Sequence, residues 1–141
     1  MKNDEYYMKE AIKEAIKAYN KEEIPVGAII VDKEGNIISR GHNNKEQSNK
    51  VIGHAEIEAI TKANKKLQNW RLNDCIMYVT LEPCDMCKKV IEEAKLRKIV
   101  YCLKNSSLKN KSTNSIQINN KELIKNYDEI LKDLFNIIRS Q

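Results

Sequence analysis

Ile76-Met77-Tyr78-Val79-Thr80-Leu81-Glu82-Pro83-Cys84-Asp85-Met86-Cys87 is the stretch whose reading decides the fold. Its first six residues form a short apolar run, rich in β-branched and aromatic side chains, with Asp74 before it and Pro83 after it. That pattern is a buried strand. Pro83 has no N–H to donate and stands where a starting helix has no use for one. Cys84 and Cys87, three positions apart, share a face of the helix that follows. A strand therefore delivers two thiols to the start of a helix.

Thirty positions before Cys84 stands Gly53-His54-Ala55-Glu56. Ile57, Ile60 and the alanines make His54 to Ala63 helical, but an ideal helix turns about 100° per residue, so His54 and Glu56 would diverge in mid-helix. They reach one site only if the helix begins there, with its unpaired N–H groups aimed at that site. His54, Cys84 and Cys87 are donors of the types zinc prefers. A structural zinc site would want four protein ligands, and no fourth is evident. Three ligands leave a position for water, whose pKa can fall to roughly 7 on the metal. Glu56 is then a candidate proton shuttle, and the chain a candidate hydrolytic enzyme with one Zn2+. Helix N-termini also lower thiol pKa values, an expectation for Cys84 and Cys87. A purely structural zinc or a redox dithiol would leave both the imidazole and the neighbouring carboxylate unexplained.

Outward from these motifs, Asn3 or Asp4 can cap a first helix whose core face carries Met8, Ala11, Ile12, Ala15, Ile16 and Tyr19. Ile24-Pro25-Val26-Gly27 leads into a buried strand at Ala28 to Val31. Asp32-Lys33-Glu34-Gly35 turns the chain, and Asn36 to Gly41 returns as the second arm of a hairpin. His42 to Gly53 lacks periodicity and reads as a loop, as does Lys65 to Asp74. Ile99 to Cys102 is a further strand, Leu103 to Asn114 a basic loop, and Ile116 to Ile118 a weak last strand. Lys121 to Ile138 is an amphipathic helix that either covers the sheet or joins two copies. Cys75 and Cys102 read as buried small apolar residues.

At 141 residues the chain suits a single domain, 1–141. No apolar run approaches membrane-spanning length and the first residues lack a signal-peptide pattern, so the expected compartment is the cytoplasm, with cysteines reduced or metal-bound. Net charge is +5, and Lys88 to Lys111 holds eight Lys or Arg against Glu92 and Glu93. Such a stretch suits a polyanionic partner, while the Lys- and Asn-rich composition would make any surface look basic.

The combination of H-x-E with P-C-x-x-C is the signature of zinc deaminases acting on nucleobases. Together with Ile24 to Ala28, Trp70-Arg71-Leu72 and Tyr78 to Leu81, it makes the chain resemble the cytidine and deoxycytidylate deaminase superfamily, and more closely the bacterial tRNA-specific adenosine deaminases. The resemblance implies an α/β fold, three-layer α-β-α, with a mixed five-stranded sheet and helices on both faces. It implies conversion of adenosine to inosine at the wobble position of a tRNA anticodon arm, by a homodimer. His54, Cys84 and Cys87 would hold zinc and Glu56 would move protons. Asn43 would contact the base, and Ile24, Val26, Ala55 and Leu81 would complete the substrate site.

Two departures lie where nucleic acid would be held. Cys102 to Lys109 replaces a Gly-x-Arg-Asp-x-Lys-x-Gly-like loop, with Asn105 at the acidic position, and His42 stands where relatives tend to carry Trp. The alternatives are a deaminase of a free base, nucleoside or nucleotide, a non-catalytic RNA-binding subunit, which the presence of Glu56 disfavours, and a structural zinc module. Trp70 could stack on a base or anchor the core.

Overall fold

The computed structural model describes residues 2–105 and 114–140. Along the chain run α1 (Asp4–Tyr19), β1 (Gly27–Val31), β2 (Ile37–His42), α2 (Lys45–Ser48), α3 (Ala55–Leu67), β3 (Ile76–Leu81), α4 (Asp85–Glu93), β4 (Lys98–Leu103), β5 (Ser115–Gln117) and α5 (Lys121–Ser140). The strands form one sheet in the order β2-β1-β3-β4-β5. β1 runs antiparallel to β2 and β3, whereas β3, β4 and β5 are parallel. The thiol-bearing stretch is therefore the first half of a strand–helix–strand crossover, which places α4 on one face of the sheet.

Strand residues alternate between two cores, as they must when both faces are covered. Ala28, Ile30, Met77, Val79, Ile99 and Tyr101 pack against Ala59 and Ala63 of α3 and Ile91 of α4. Ile29, Val31, Tyr78, Val100 and Cys102 pack against Met8, Ala11 and Ala15 of α1 and Leu123 and Tyr127 of α5. The result is the expected three-layer α-β-α arrangement, with α5 covering the sheet.

Two glycines set how closely the layers approach. A Cβ on Gly27 would lie 2.1 Å from the Ala11 carbonyl oxygen of α1, and one on Gly41 would lie 2.4 Å from the Ala55 carbonyl oxygen of α3. They sit on adjacent register positions of the hairpin, where Gly27 pairs with His42 and Ala28 with Gly41. One thus seats the helix on one face while the other seats the helix that begins at His54.

α1 is also tied to the edge strand by charge. Glu10 and Glu14 are buried, and Arg40 Nη2 lies 2.8 Å from the Glu10 carboxylate. Hydrogen bonds from Lys13 and Arg40 hold the Glu10 carboxyl below its ordinary value. Burial would raise Glu14, but Lys17 and His42 outweigh it and hold it below as well. His42 Nδ1 lies 3.3 Å from Glu14, and Lys21 Nζ lies 3.4 Å from the other ring nitrogen, so this histidine belongs to the α1 face.

Local pattern misplaced several boundaries and missed one short helix. The stretch read as loop from His42 to Gly53 begins with the last residue of β2 and contains α2. The buried Glu23 carboxylate accepts from the Glu46 and Gln47 N–H groups at 3.3 and 2.9 Å, a cap supplied from 23 residues away and invisible to local pattern. α3 continues through Lys65 and Lys66 to Leu67, past its last buried alanine, and ends where Gln68 takes the left-handed conformation. Lys95 ends α4 in the same conformation, as Glu22 and Asn49 do after α1 and α2. Among the described residues no helix is long and apolar enough to cross a membrane.

Gly27→Ala should lower stability by about 1–3 kcal/mol or more, because backbone rather than a movable side chain fills the space, and urea unfolding would show the lower midpoint. Since Glu10 and Glu14 titrate below their ordinary 4.5 when folded, their stabilisation is complete above that pH and is lost as pH falls through the lowered values. The urea midpoint should drop below about pH 4.5, and Glu14→Gln should flatten that acid limb.

Candidate metal centre

His54 is the N-cap of α3 and Cys84 the N-cap of α4, and neither side chain caps its own helix. Both instead turn to a shared point, as the helical-angle argument requires. One donor atom from each of His54, Cys84 and Cys87 lies within 4.8 Å of the others. Cys87 Sγ is 3.5 Å from His54 Nδ1. Zinc–ligand bonds of about 2.0–2.3 Å in a tetrahedron imply ligand separations of roughly 3.5–3.8 Å, which the Cys87–His54 pair meets at 3.5 Å.

Burial dominates the electrostatics. It lowers His54, with Lys45 adding to the effect, and so favours the neutral imidazole that ligates metals. Burial pushes the Cys87 thiol up, and the nearby Glu56 and Cys84 push it further. The expected lowering by the helix start is thus outweighed at Cys87, whose deprotonation awaits a cation. Burial also pushes Glu56 up to about 7, against hydrogen bonds from its own backbone N–H and from Cys87. One Glu56 oxygen, Oε1, is buried with no hydrogen-bond partner. A desolvated carboxyl beside two thiols and an imidazole is a donor set that fits a dication.

A cavity of about 180 Å³ opens onto this triad, lined by Ile24, Val26, Asn43, His54, Glu56, Leu81, Glu82, Cys84 and Asn105. Four residues picked from sequence for the substrate, Ile24, Val26, Asn43 and Leu81, lie in its wall. Ala55 packs into the α3 core, and its N–H donates to Asn43 Oδ1 at 2.8 Å. Asn43 therefore supplies the cap that His54 does not. Sequence reasoning missed Glu82 and Asn105 as wall residues. Glu82 Oε1 accepts from the Asn105 N–H at 3.2 Å, and Glu82 Oε2 lies 3.5 Å from Lys88 Nζ. The one available signal was position, since Glu82 ends the strand that delivers Cys84.

Other singled-out residues lie elsewhere. Trp70 is 55% exposed and stacks under the Arg71 guanidinium, whose Cζ is 4.7 Å from the ring centroid. It precedes β3, so the length of that strand, roughly 17 Å, separates it from the triad. It is neither a core anchor nor part of this cavity. Of the basic stretch, Lys88 is buried against Glu82, while Lys98 opens β4 at the end remote from the triad. Cys75 and Cys102 are buried free thiols. The loop read from Leu103 to Asn114 falls mostly on residues 106–113, outside the described residues.

The model of the cytidine and deoxycytidylate deaminase zinc-binding region matches residues 1–103. The chain belongs to this deaminase family. His54, Cys84 and Cys87 are its zinc site, and the sheet is the cytidine deaminase-like fold. Among curated relatives, a tRNA-specific adenosine deaminase of Streptococcus pyogenes serotype M18 (strain MGAS8232) is 51% identical over 96 residues, covering 68% of this chain and 60% of the relative. The chain thus spans about three fifths of that relative's length. A solved structure from work on A-to-I editing by tRNA:A34 deaminases at the wobble position of transfer RNA is similar with a TM-score of 0.79 and 28% identity, over 87% of this chain and 99% of that one. Guanine deaminase from Bacillus subtilis is similar with a TM-score of 0.71 and 30% identity, over 91% and 93% of the two chains.

Purified protein should carry close to one zinc per chain by elemental analysis, and Cys87→Ser should lose most of it. Because thiols ligate as thiolates and burial raises Cys87, zinc affinity should weaken as pH falls, which competition with a chromophoric chelator would read.

Proposed function

We propose that residues 1–141 work as one deaminase domain that hydrolyses adenosine to inosine at the wobble position of a tRNA anticodon. The observation that carries this reading is the cavity, in which Asn43, Ile24, Val26 and Leu81 converge on His54 and Glu56. At about 180 Å³ it is smaller than the roughly 300 Å³ where drug-sized pockets begin, so it takes one base and leaves ribose and phosphates outside. That suits a base splayed from a single-stranded loop, where little pairing must be broken. The identity to the streptococcal tRNA-specific adenosine deaminase supports the choice of base and polymer. Homodimer formation and a cytoplasmic location belong to the same reading.

When bound, zinc supplies the Lewis acidity that makes water nucleophilic near neutral pH. The residues do the rest. Ile24, Val26 and Leu81 flank the ring and exclude bulk water. Asn43 has its oxygen engaged by the Ala55 N–H, which leaves its amide NH2 to donate to a ring nitrogen. Glu56 takes the proton from water and passes it to the ring nitrogen beside the amine-bearing carbon, then helps protonate the departing amine. A C–O bond forms, a C–N bond breaks, and ammonia leaves. A carboxyl raised to about 7 suits a group that must both accept and give a proton near neutral pH.

A free purine is the second reading, favoured by the likeness to guanine deaminase and by a cavity that fits a single base. Zinc-loaded protein should form inosine in an anticodon stem-loop with a wobble adenosine. Absence of inosine there, with turnover of a free base, would replace the first reading with the second. Glu56→Ala should keep its zinc while inosine formation, followed by mass spectrometry, falls by at least about 10²- to 10⁴-fold.

A further inference from the structure

We propose that Tyr127, on the C-terminal helix and outside the residues matched by the family model, is a positioning residue for the base-binding cavity. The inference rests on the deaminase reading above only for its kinetic consequence. Its geometry is independent. Tyr127 is fully buried, and its hydroxyl donates to the Pro25 carbonyl at 2.8 Å. The Thr80 hydroxyl, equally buried, accepts from the Gly27 N–H at 3.1 Å. Tyr127 of α5 thus holds the carbonyl of Pro25, and Thr80 of β3 holds the N–H of Gly27, two residues on. Both bonds act on one short segment, so together they strap residues 25–27 against α5 and β3.

The strap matters because of what it holds. Pro25 has no N–H, so its carbonyl is the one backbone handle by which it can be tied down. Ile24 is 44% exposed although it lines the cavity, so packing on its outer side does not fix it. Within the segment, Val26 N–H bonds back to Ile24 C=O at 2.8 Å, making the wall one tight turn. The next carbonyl, that of Val26, accepts from Asn43 N–H at 3.1 Å. Asn43 in turn accepts from Ala55 N–H at 2.8 Å, between the ligand His54 and Glu56. Consecutive carbonyls of one segment thus connect α5 to the cavity wall and the wall to Asn43.

Tyr127→Phe keeps the ring and removes the donor. We expect KM for the anticodon stem-loop to rise about 5- to 10-fold, with kcat within twofold and zinc content unchanged. Native-state hydrogen exchange should quicken about as much at Val26 and Asn43 and stay as it was in β4. A lower melting temperature with unchanged KM and unchanged exchange at those two amides would overturn the proposal, leaving Tyr127 a structural contact. Thr80→Val removes the hydroxyl that holds Gly27 N–H at the other end of the segment and should reproduce the local exchange, which serves if Tyr127→Phe fails to fold. Faster exchange in a protein whose wild type turns over no anticodon substrate would overturn the substrate reading and uphold the strap. Unchanged exchange alongside normal wild-type turnover would do the reverse.

Discussion

A buried carboxyl with an unpartnered oxygen, a buried thiol, and a half-buried thiol and imidazole stay together at low cost only around positive charge. Most of the fold serves that condition. Both α3 and α4 start at the site and direct their positive ends toward it, which requires them to lie on the same face of the sheet. α4 can do so because it belongs to a parallel crossover that begins at the carboxyl end of β3. α3 can do so because Gly41 lets its first turn come within backbone distance of β2. Remove the cation and these features have no common purpose.

Turning His54 and Cys84 toward a metal leaves two helices without side-chain caps from their own N-cap residues. For α3 the lost cap is replaced by Asn43, from the segment just after β2. The residue read as touching the base is thus also a structural element of the helix that carries the zinc ligand and the proton carrier. Binding geometry and helix geometry are coupled through one amide group. Any substitution at Asn43 acts on both.

The zinc triad, Glu56 and the strand at Ile76 to Leu81 were legible in the sequence because each depends on residue type at fixed short spacing. The Pro83-Cys84 junction even marked the helix start to within a residue. What was illegible depended on partners far away in the chain. α2 is held by Glu23, and the cavity wall includes Asn105, brought in by Glu82 across parallel strands. Trp70-Arg71 resembles the family in sequence, yet sits at the opposite end of β3 from the chemistry, because motif likeness carries no information about which end of a strand a loop occupies. The thiol expectation failed at Cys87 for a related reason. A helix dipole is a local property, whereas desolvation is set by everything packed around the group.

The left-handed residues that end the helices bear on how this chain could be made more robust. Its four glycines stand at Gly27, Gly41 and Gly53, where a side chain would strike backbone, and at the positive-φ turn residue Gly35. Glu22, Asn49, Gln68 and Lys95 occupy comparable backbone conformations without being glycine, and side-chain crowding there costs about 1 kcal/mol each for residues other than Asn. Gln68 and Lys95 are exposed and lie away from the cavity. The molecule thus holds a reserve of thermal tolerance at its helix ends, open to engineering without disturbing a catalytic atom.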